Sequence, residues 1–282
     1  MTAITLVQKV NDLPPVSHAA LKLISLLEQP AVDNEQIVQV LTYDNVLTAK
    51  LLRACNAPMY ALSETVSSVD QAVFLLGHKQ VLHVVMTLAF RSVMTVSTLT
   101  YTMEMNELWE HSLVTAMAVE TVQSHLPKLG ATSNVAFTAS LLHDIGKVVL
   151  GLTLSGHEIS EIRDRIKRKQ ISSTQAEKEV IGVDHGEVGA ALLQSWRLPE
   201  DIVEAVANHH RPELLPGPRL SALTHIANSI AHYAHPSLGE NFHDLHITDD
   251  VAGAFNIDET RLKKMTEDVR KSRQRVDDFM KF

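Results

Sequence analysis

In the segment ASLLHDIGKVVL (139–150), an imidazole and a carboxylate, His143 and Asp144, stand side by side among residues of core type, and Lys147 follows just past a glycine. His111, His185 and the adjacent pair His209 and His210 offer donors of the same kind. Imidazole with carboxylate suits iron, manganese, zinc or nickel better than calcium, which takes an all-oxygen shell. The spacing is not local: 32 positions separate His111 from His143, 41 separate Asp144 from His185, and 24 separate His185 from His209. Each interval is about a helix hairpin, so donors on separate helices could converge in a bundle core. Adjacent helical residues point about 100° apart, which lets His143 and Asp144 approach one site from a single helix edge. Lys147 lies four after His143 and three after Asp144, so on a helix it shares their face. A cation beside a metal is where a phosphate would be held. The alternative is structural, a hydrogen-bonded polar cluster in a helix core with a solvated lysine; buried His and Asp without metal would then need dense hydrogen bonding.

The elements that must position these residues read almost entirely as helices. From Val16 to Leu27, Ala19, Ala20, Leu23, Ile24 and Leu27 make an apolar face at three- and four-residue steps. Asp33 and Asp44 stand where N-caps are expected. VDQAVFLLGHKQVLHVVMTLAF predicts a short helix, a turn at Gly77 and a long helix to about Met94, and the Thr/Ser-rich TVSTLTYT (95–102) predicts a linker. NELWEHSLVTAMAVETVQSHL is a long helix stopped near Pro127. Helices are expected at about 133–150, 157–169, 173–181, 186–196, 199–209 and 218–235. The segment DETRLKKMTEDVRKSRQRVDDFMKF is expected to be one amphipathic helix docked on the body. This divides the chain into an N-terminal helical subdomain (1–100), a helical bundle carrying the donors (101–240) and a helical tail (241–282).

Composition narrows the class of partner. The 282 residues carry a net charge of −8, which excludes a nucleic-acid backbone as a general partner. RDRIKRKQ (163–170) holds five basic residues and reads as a solvated helix end. A single cysteine, Cys55, excludes an intrachain disulfide and fits a reducing cytoplasm. The N-terminus shows no signal-peptide pattern. The longest uncharged apolar run, VLHVVMTLAF, is ten residues, short of the roughly 20 that a bilayer needs. The expectation is a soluble cytoplasmic protein with no membrane partner.

In order along residues 12–235, LPPVSHAALKLISLLEQP, DNVLTAKLLRACNAPMY, VDQAVFLLGHKQV, LWEHSLVTA, LLHDIGKVVL, DHGEVGAALLQSWRLPEDIVEAVANHHRP and LTHIANSIAH resemble the HDOD family of the HD superfamily of metal-dependent phosphohydrolases. The resemblance implies an all-α fold, with an N-terminal helical subdomain packed on an HD-type bundle. It matches His111, His143, Asp144, His185, His209 and His210 to the ligands of dinuclear HD phosphodiesterases, with Asp144 bridging and Lys147 facing phosphate. Asp144 and Lys147 are thus the catalytic candidates. The implied cofactor is one or two divalent transition ions, iron first, with manganese, zinc or nickel as alternatives. Two departures stand out. Where active enzymes carry Ala-Asp on a late helix, this chain has Ala227-Asn228, and a neutral amide is a weaker ligand for a hard metal. The Gly-Tyr-Pro loop of cyclic-di-GMP phosphodiesterases should follow the double histidine, but the chain reads HHRPELLPGPRLS, so no hydrolysis of cyclic di-GMP is expected. The resemblance points to a bacterial signal-transduction module that acts through a protein partner and retains a metal site. The alternative is a metal-dependent phosphohydrolase acting on a phosphoester or nucleotide, with a phosphate-containing small ligand.

Overall fold

A computed structural model describes residues 1–10, 12–26, 33–62, 64–96, 104–130, 133–211, 219–235 and 247–280, and every regular element among them is helical. The first half holds α1 (Ala3–Lys9), α2 (His18–Leu26), α3 (Asn34–Thr42), α4 (Asn45–Cys55) and α5 (Val69–Met94). Local chemistry sets their starts. The Asp33 carboxylate accepts from the Glu35 N–H at 3.0 Å and opens α3; Asp44 accepts from Leu47 at 2.9 Å and opens α4. Asp44 also accepts from the Ser17 hydroxyl and so ties the entry of α2 to that of α4. Gly77, with φ of +78°, breaks α5 into the short and long runs that the sequence predicts. The apolar faces of α2, α3 and α4 pack on α5, with Leu23, Ile24, Ile37, Leu41 and Leu51 fully buried. The expected linker falls mostly at 97–103, outside the described residues.

The second half holds α6 (Met105–His125), α7 (Ser133–Leu142), α8 (Ile145–Thr153), α9 (Gly156–Lys169), α10 (Ser173–Ile181), α11 (His185–Ser195), α12 (Glu200–Asn208) and α13 (Arg219–Ala234). In this bundle α6 packs on α7 and α13, α12 on α7 and α13, and α11 on α8 and α12. The first helix was not anticipated in the sequence. It packs on α8 and α11, and the Met1 ammonium donates to the Ile181 carbonyl at 2.7 Å. The basic segment ends α9, where Lys167, Arg168 and Lys169 complement the helix dipole and Arg165 and Lys169 pair with Glu179 at 2.8 and 2.6 Å.

The C-terminal region holds α14 (Asp249–Phe255), α15 (Glu259–Lys271) and α16 (Arg273–Met280). The expected single tail helix is therefore two, divided at Ser272, and both dock on the body by burying Met265, Val269, Val276 and Phe279. Arg270 donates to the carbonyls of Tyr233 and Ala234 at 2.9 and 3.2 Å and so satisfies the open end of α13. Two stretches, Val69–Met94 and Asn134–Thr153, are long and apolar enough to cross a membrane, which the ten-residue count understated. Both lie mostly inside the fold, as core helices do.

His83 on α5 lies in the contact between the two halves, its ring stacked on Phe137 of α7 at 3.8 Å and 8°. Burial disfavours the imidazolium more than nearby Glu120 favours it, and pushes the group down to about 4. The folded state thus binds this proton less readily than the unfolded chain. Its stabilising contribution is complete above pH 6.5 and is lost as pH falls toward 4, up to roughly 3 kcal/mol. Urea unfolding of wild type and His83→Phe should show wild type losing stability faster between pH 6.5 and 4. Parallel pH profiles would contradict this assignment.

Candidate metal centre

Each donor sits where an element begins, ends or packs most tightly. His111 lies inside α6, His185 opens α11, and His209 and His210 close α12. His143 and Asp144 do not share one helix as expected: the chain leaves α7 at Leu142 and re-enters helix at Ile145. Asp144 occupies the N-cap position of α8, with φ −98° and ψ 10°. The reason is packing against α11. A Cβ at Gly146 would lie 1.9 Å from the His185 carbonyl oxygen and 2.8 Å from the Gly189 nitrogen. Backbone contact this close requires glycine, and it requires α8 to turn out of the line of α7. The turn aims both His143 and Asp144 inward.

The six candidate ligands meet in two groups that share Asp144. Donor atoms of Asp144, His185, His209 and His210 lie within 4.8 Å of one another, as do those of His111, His143 and Asp144. On one carboxylate oxygen, Asp144 Oδ1 is 3.3 Å from His185 Nε2 and 3.6 Å from His209 Nε2. On the other, Oδ2 is 3.4 Å from His143 Nε2, 3.9 Å from His111 Nε2 and 2.8 Å from Lys147 Nζ. The Nε2 atoms also face each other in pairs, His111 with His143 at 3.2 Å and His185 with His209 at 3.3 Å. All but His210 among the six are essentially inaccessible to solvent.

The backs of the rings decide which nitrogen faces inward. His143 Nδ1 is 2.7 Å from the Ser140 carbonyl, His209 Nδ1 is 2.7 Å from the Val206 carbonyl, and His185 Nδ1 is 2.9 Å from both oxygens of Glu177. A carbonyl or carboxylate only accepts, so Nδ1 carries the proton at these three rings. Their Nε2 lone pairs therefore point into the cluster when neutral, a tautomer typical of metal-ligating histidine. Facing lone pairs repel unless a proton or a metal ion lies between them. This donor set fits a divalent transition ion.

Electrostatics tells the same story for the metal-free protein. Burial alone would raise the Asp144 carboxyl, but the charges of His143 and Lys147 and hydrogen bonds from His143 and His185 hold it well below the usual carboxylate range. Burial opposes the His185 imidazolium, yet the Glu177 charge and the Asp144 hydrogen bond push it up to about 10. Burial pushes His209 down to about 4, and His111 and His210 well below the ordinary imidazole range. Without metal, the cluster thus holds Asp144 ionised between Lys147 and a protonated His185. A metal bound at His185 must displace that proton.

Three groups beside the cluster were not singled out in the sequence: Glu177 and His225, both buried, and His232, half-buried. Glu177 of α10 also accepts from the His185 N–H at 2.6 Å. Its neighbours, AEKEV, make it look like a surface glutamate, and only the recurrence of Ala176, Glu177 and Ile181 three, four and eight residues after Ser173, on one buried face, hints otherwise. His225 Nδ1 donates to the His209 carbonyl at 2.8 Å. The His232 ring lies 4.2 Å from that of His111, and burial with the nearby Lys147 charge pushes it down to about 3. Asn228 shares their face of α13 and is buried, with no hydrogen-bond partner for Oδ1. On its His210 side the cluster opens into a cleft of about 650 Å³, lined also by Lys178, Asp184 and Arg211. The segment 212–218, where the Gly-Tyr-Pro sequence is missing, lies outside the described residues.

A helical bundle with a His/Asp cluster of HD type is the class that this fold and site define. The HDOD domain family model matches residues 13–212, and the chain belongs to the HDOD family. Similar solved structures include an HDOD domain protein of unknown function from Geobacter sulfurreducens, with 24% identity, a TM-score of 0.75, and coverage of 97% of this chain and 95% of that one. Another is a candidate signal transduction protein from Marinobacter aquaeolei VT8, with 20% identity and a TM-score of 0.75, over 98% of this chain and 63% of that one. A candidate phosphohydrolase from Shewanella amazonensis SB2B has 23% identity and a TM-score of 0.69, over 98% and 97%. At these identities the likeness is one of fold. An uncharacterized protein of Treponema pallidum is 23% identical over 213 residues, 74% of this chain, which spans only 39% of that relative.

If Glu177 fixes the His185 tautomer and supplies charge behind it, Glu177→Gln should weaken metal binding by roughly 10–100-fold, the usual effect of losing such a partner. Competition against a chelator of known affinity measures this. Unchanged affinity would show that the pair only stabilises the fold.

Proposed function

We propose that this chain is a bacterial HDOD signalling module of the cytoplasm whose bundle retains a divalent transition-metal centre, iron being the first choice, and whose output passes through a protein partner. The carrying observation is the set of inward Nε2 atoms facing each other around the buried Asp144, with the ring backs of His143, His185 and His209 tied to carbonyls and Glu177. Asp144, His185, His209 and His210 would hold the ion. Charge favours this quartet, since Glu177 stands behind it. On the other side, Lys147 pairs with Asp144 Oδ2 and position 228 is a neutral amide. That imbalance argues for a regulatory centre over a paired catalytic one.

The second reading, a metal-dependent phosphohydrolase, draws support from the cleft that reaches His210. A bound metal would supply Lewis-acid polarisation of a phosphoryl oxygen and an acidified water. Lys178 and Arg211 at the cleft would attract a phosphate group, although both pair with Asp184 and Glu187. Lys147 would face the phosphate only after releasing Asp144.

Adding iron(II) or manganese(II) at about a hundred times Kd should stabilise the native state by about 2.7 kcal/mol. At roughly 2–4 °C per kcal/mol that is a Tm rise of about 5–10 °C. A chelator should reverse it, and Asp144→Ala should abolish both the rise and the bound metal. A melting curve indifferent to metal and chelator would reject the centre. Metal-loaded protein should show no turnover of cyclic di-GMP; turnover lost in Asp144→Ala would overturn the regulatory reading in favour of an enzyme.

A further inference from the structure

On the metal-centre reading above, the group formed by His111, His143 and Asp144 is one donor short. The residue at the matching position of α13, Asn228, contributes a neutral amide whose oxygen is buried without a hydrogen bond. One helical turn further along the same face stands His232. We propose that His232 is the fourth ligand of a second, weaker metal position, completing His111, His143 and Asp144 in place of the absent carboxylate.

The placement of α13 supports this. His225, Asn228 and His232 recur at three- and four-residue steps and so share one helix face. At the upper end of that face His225 is fixed to the His209 carbonyl at 2.8 Å. At the lower end the His232 ring meets the His111 ring at 4.2 Å, tilted by 37°. The other ring pairs in the cluster stand 4.1 to 5.3 Å apart, so the His232 ring lies within the same contact range, while its nitrogens stand outside the donor group of His111, His143 and Asp144 and would swing inward on binding. His111 Nδ1 has no hydrogen-bond partner, so no acceptor behind that ring holds its orientation. Imidazole is a sound replacement for carboxylate toward a transition ion, since it supplies a donor lone pair, but it adds no charge. With Lys147 already beside Asp144 Oδ2 at 2.8 Å, this position carries less negative charge than the quartet and binds second. A purely packing role for His232 would need the ring and not its nitrogens.

Cobalt(II) is the probe, because its visible bands report coordination without any activity assay. Metal-free wild type titrated with cobalt should take up two equivalents in two resolved steps, checked by equilibrium dialysis. His232→Ala should keep the first step and lose the second. His232→Phe preserves the ring against His111 but has no donor, and should lose the same step while melting close to wild type. Asn228→Asp combined with His232→Ala should recover the second equivalent, because it restores a charged donor on the same face. The proposal is overturned if wild type saturates at one equivalent, or if His232→Phe retains two. Wild type that takes up no cobalt at all would instead reject the metal centre itself, and this proposal with it.

Discussion

A carboxylate with almost no access to water must be matched by positive charge, and the second half of this chain is arranged around that requirement. Asp144 lies 1% exposed, flanked by four imidazole Nε2 atoms within 3.9 Å and by the Lys147 ammonium. Leaving such a charge unmatched would cost several kcal/mol. Metal-free, the match comes from Lys147 and the proton on His185. With an ion bound, the match would come from the ion, and the imidazoles would become donors toward it. The scaffold therefore offers Asp144 two alternative sources of positive charge, the proton on His185 or a bound ion, and the two exclude each other at the His185 Nε2.

The rest of the fold can be read as what holds those donors on target. Gly146 and the backbone of His185 touch so closely that α8 and α11 behave as one unit, and that unit fixes Asp144 against His185. The Val206 and Ser140 carbonyls orient His209 and His143 from the last turns of α12 and α7. Outside this core, α15 and α16 close the bundle over α6 and α13, and Arg270 completes the end of α13. The helices that carry His111, Asn228 and His232 are therefore coupled to the C-terminal region. The N-terminal half reaches the same bundle through α5 and α7, where His83 stacks on Phe137.

Helix periodicity and capping residues made most elements legible in the sequence. Asp33, Asp44 and Gly77 each act locally, through a side-chain cap or a positive φ, and local signals survive without tertiary knowledge. The six candidate ligands were legible because residue type and order carry them, and the structure brings all six together. What escaped depends on packing. The break at His143 and Asp144 follows from the approach of α8 to α11, which no property of ASLLHDIGKVVL announces. Glu177 sits among other charges, and only its burial distinguishes it from Glu179, which forms surface ion pairs. His232 gained meaning only when its ring was found against His111.

Whether Asp144, His185, His209 and His210 hold a metal ion can be seen in crystals grown with manganese(II). An anomalous-scattering peak is expected within coordination distance of donor atoms from these four residues, with the His185 Nδ1 still bonded to Glu177. A structure at saturating manganese with no peak there, and with Lys147 and His185 still neutralising Asp144, would contradict it.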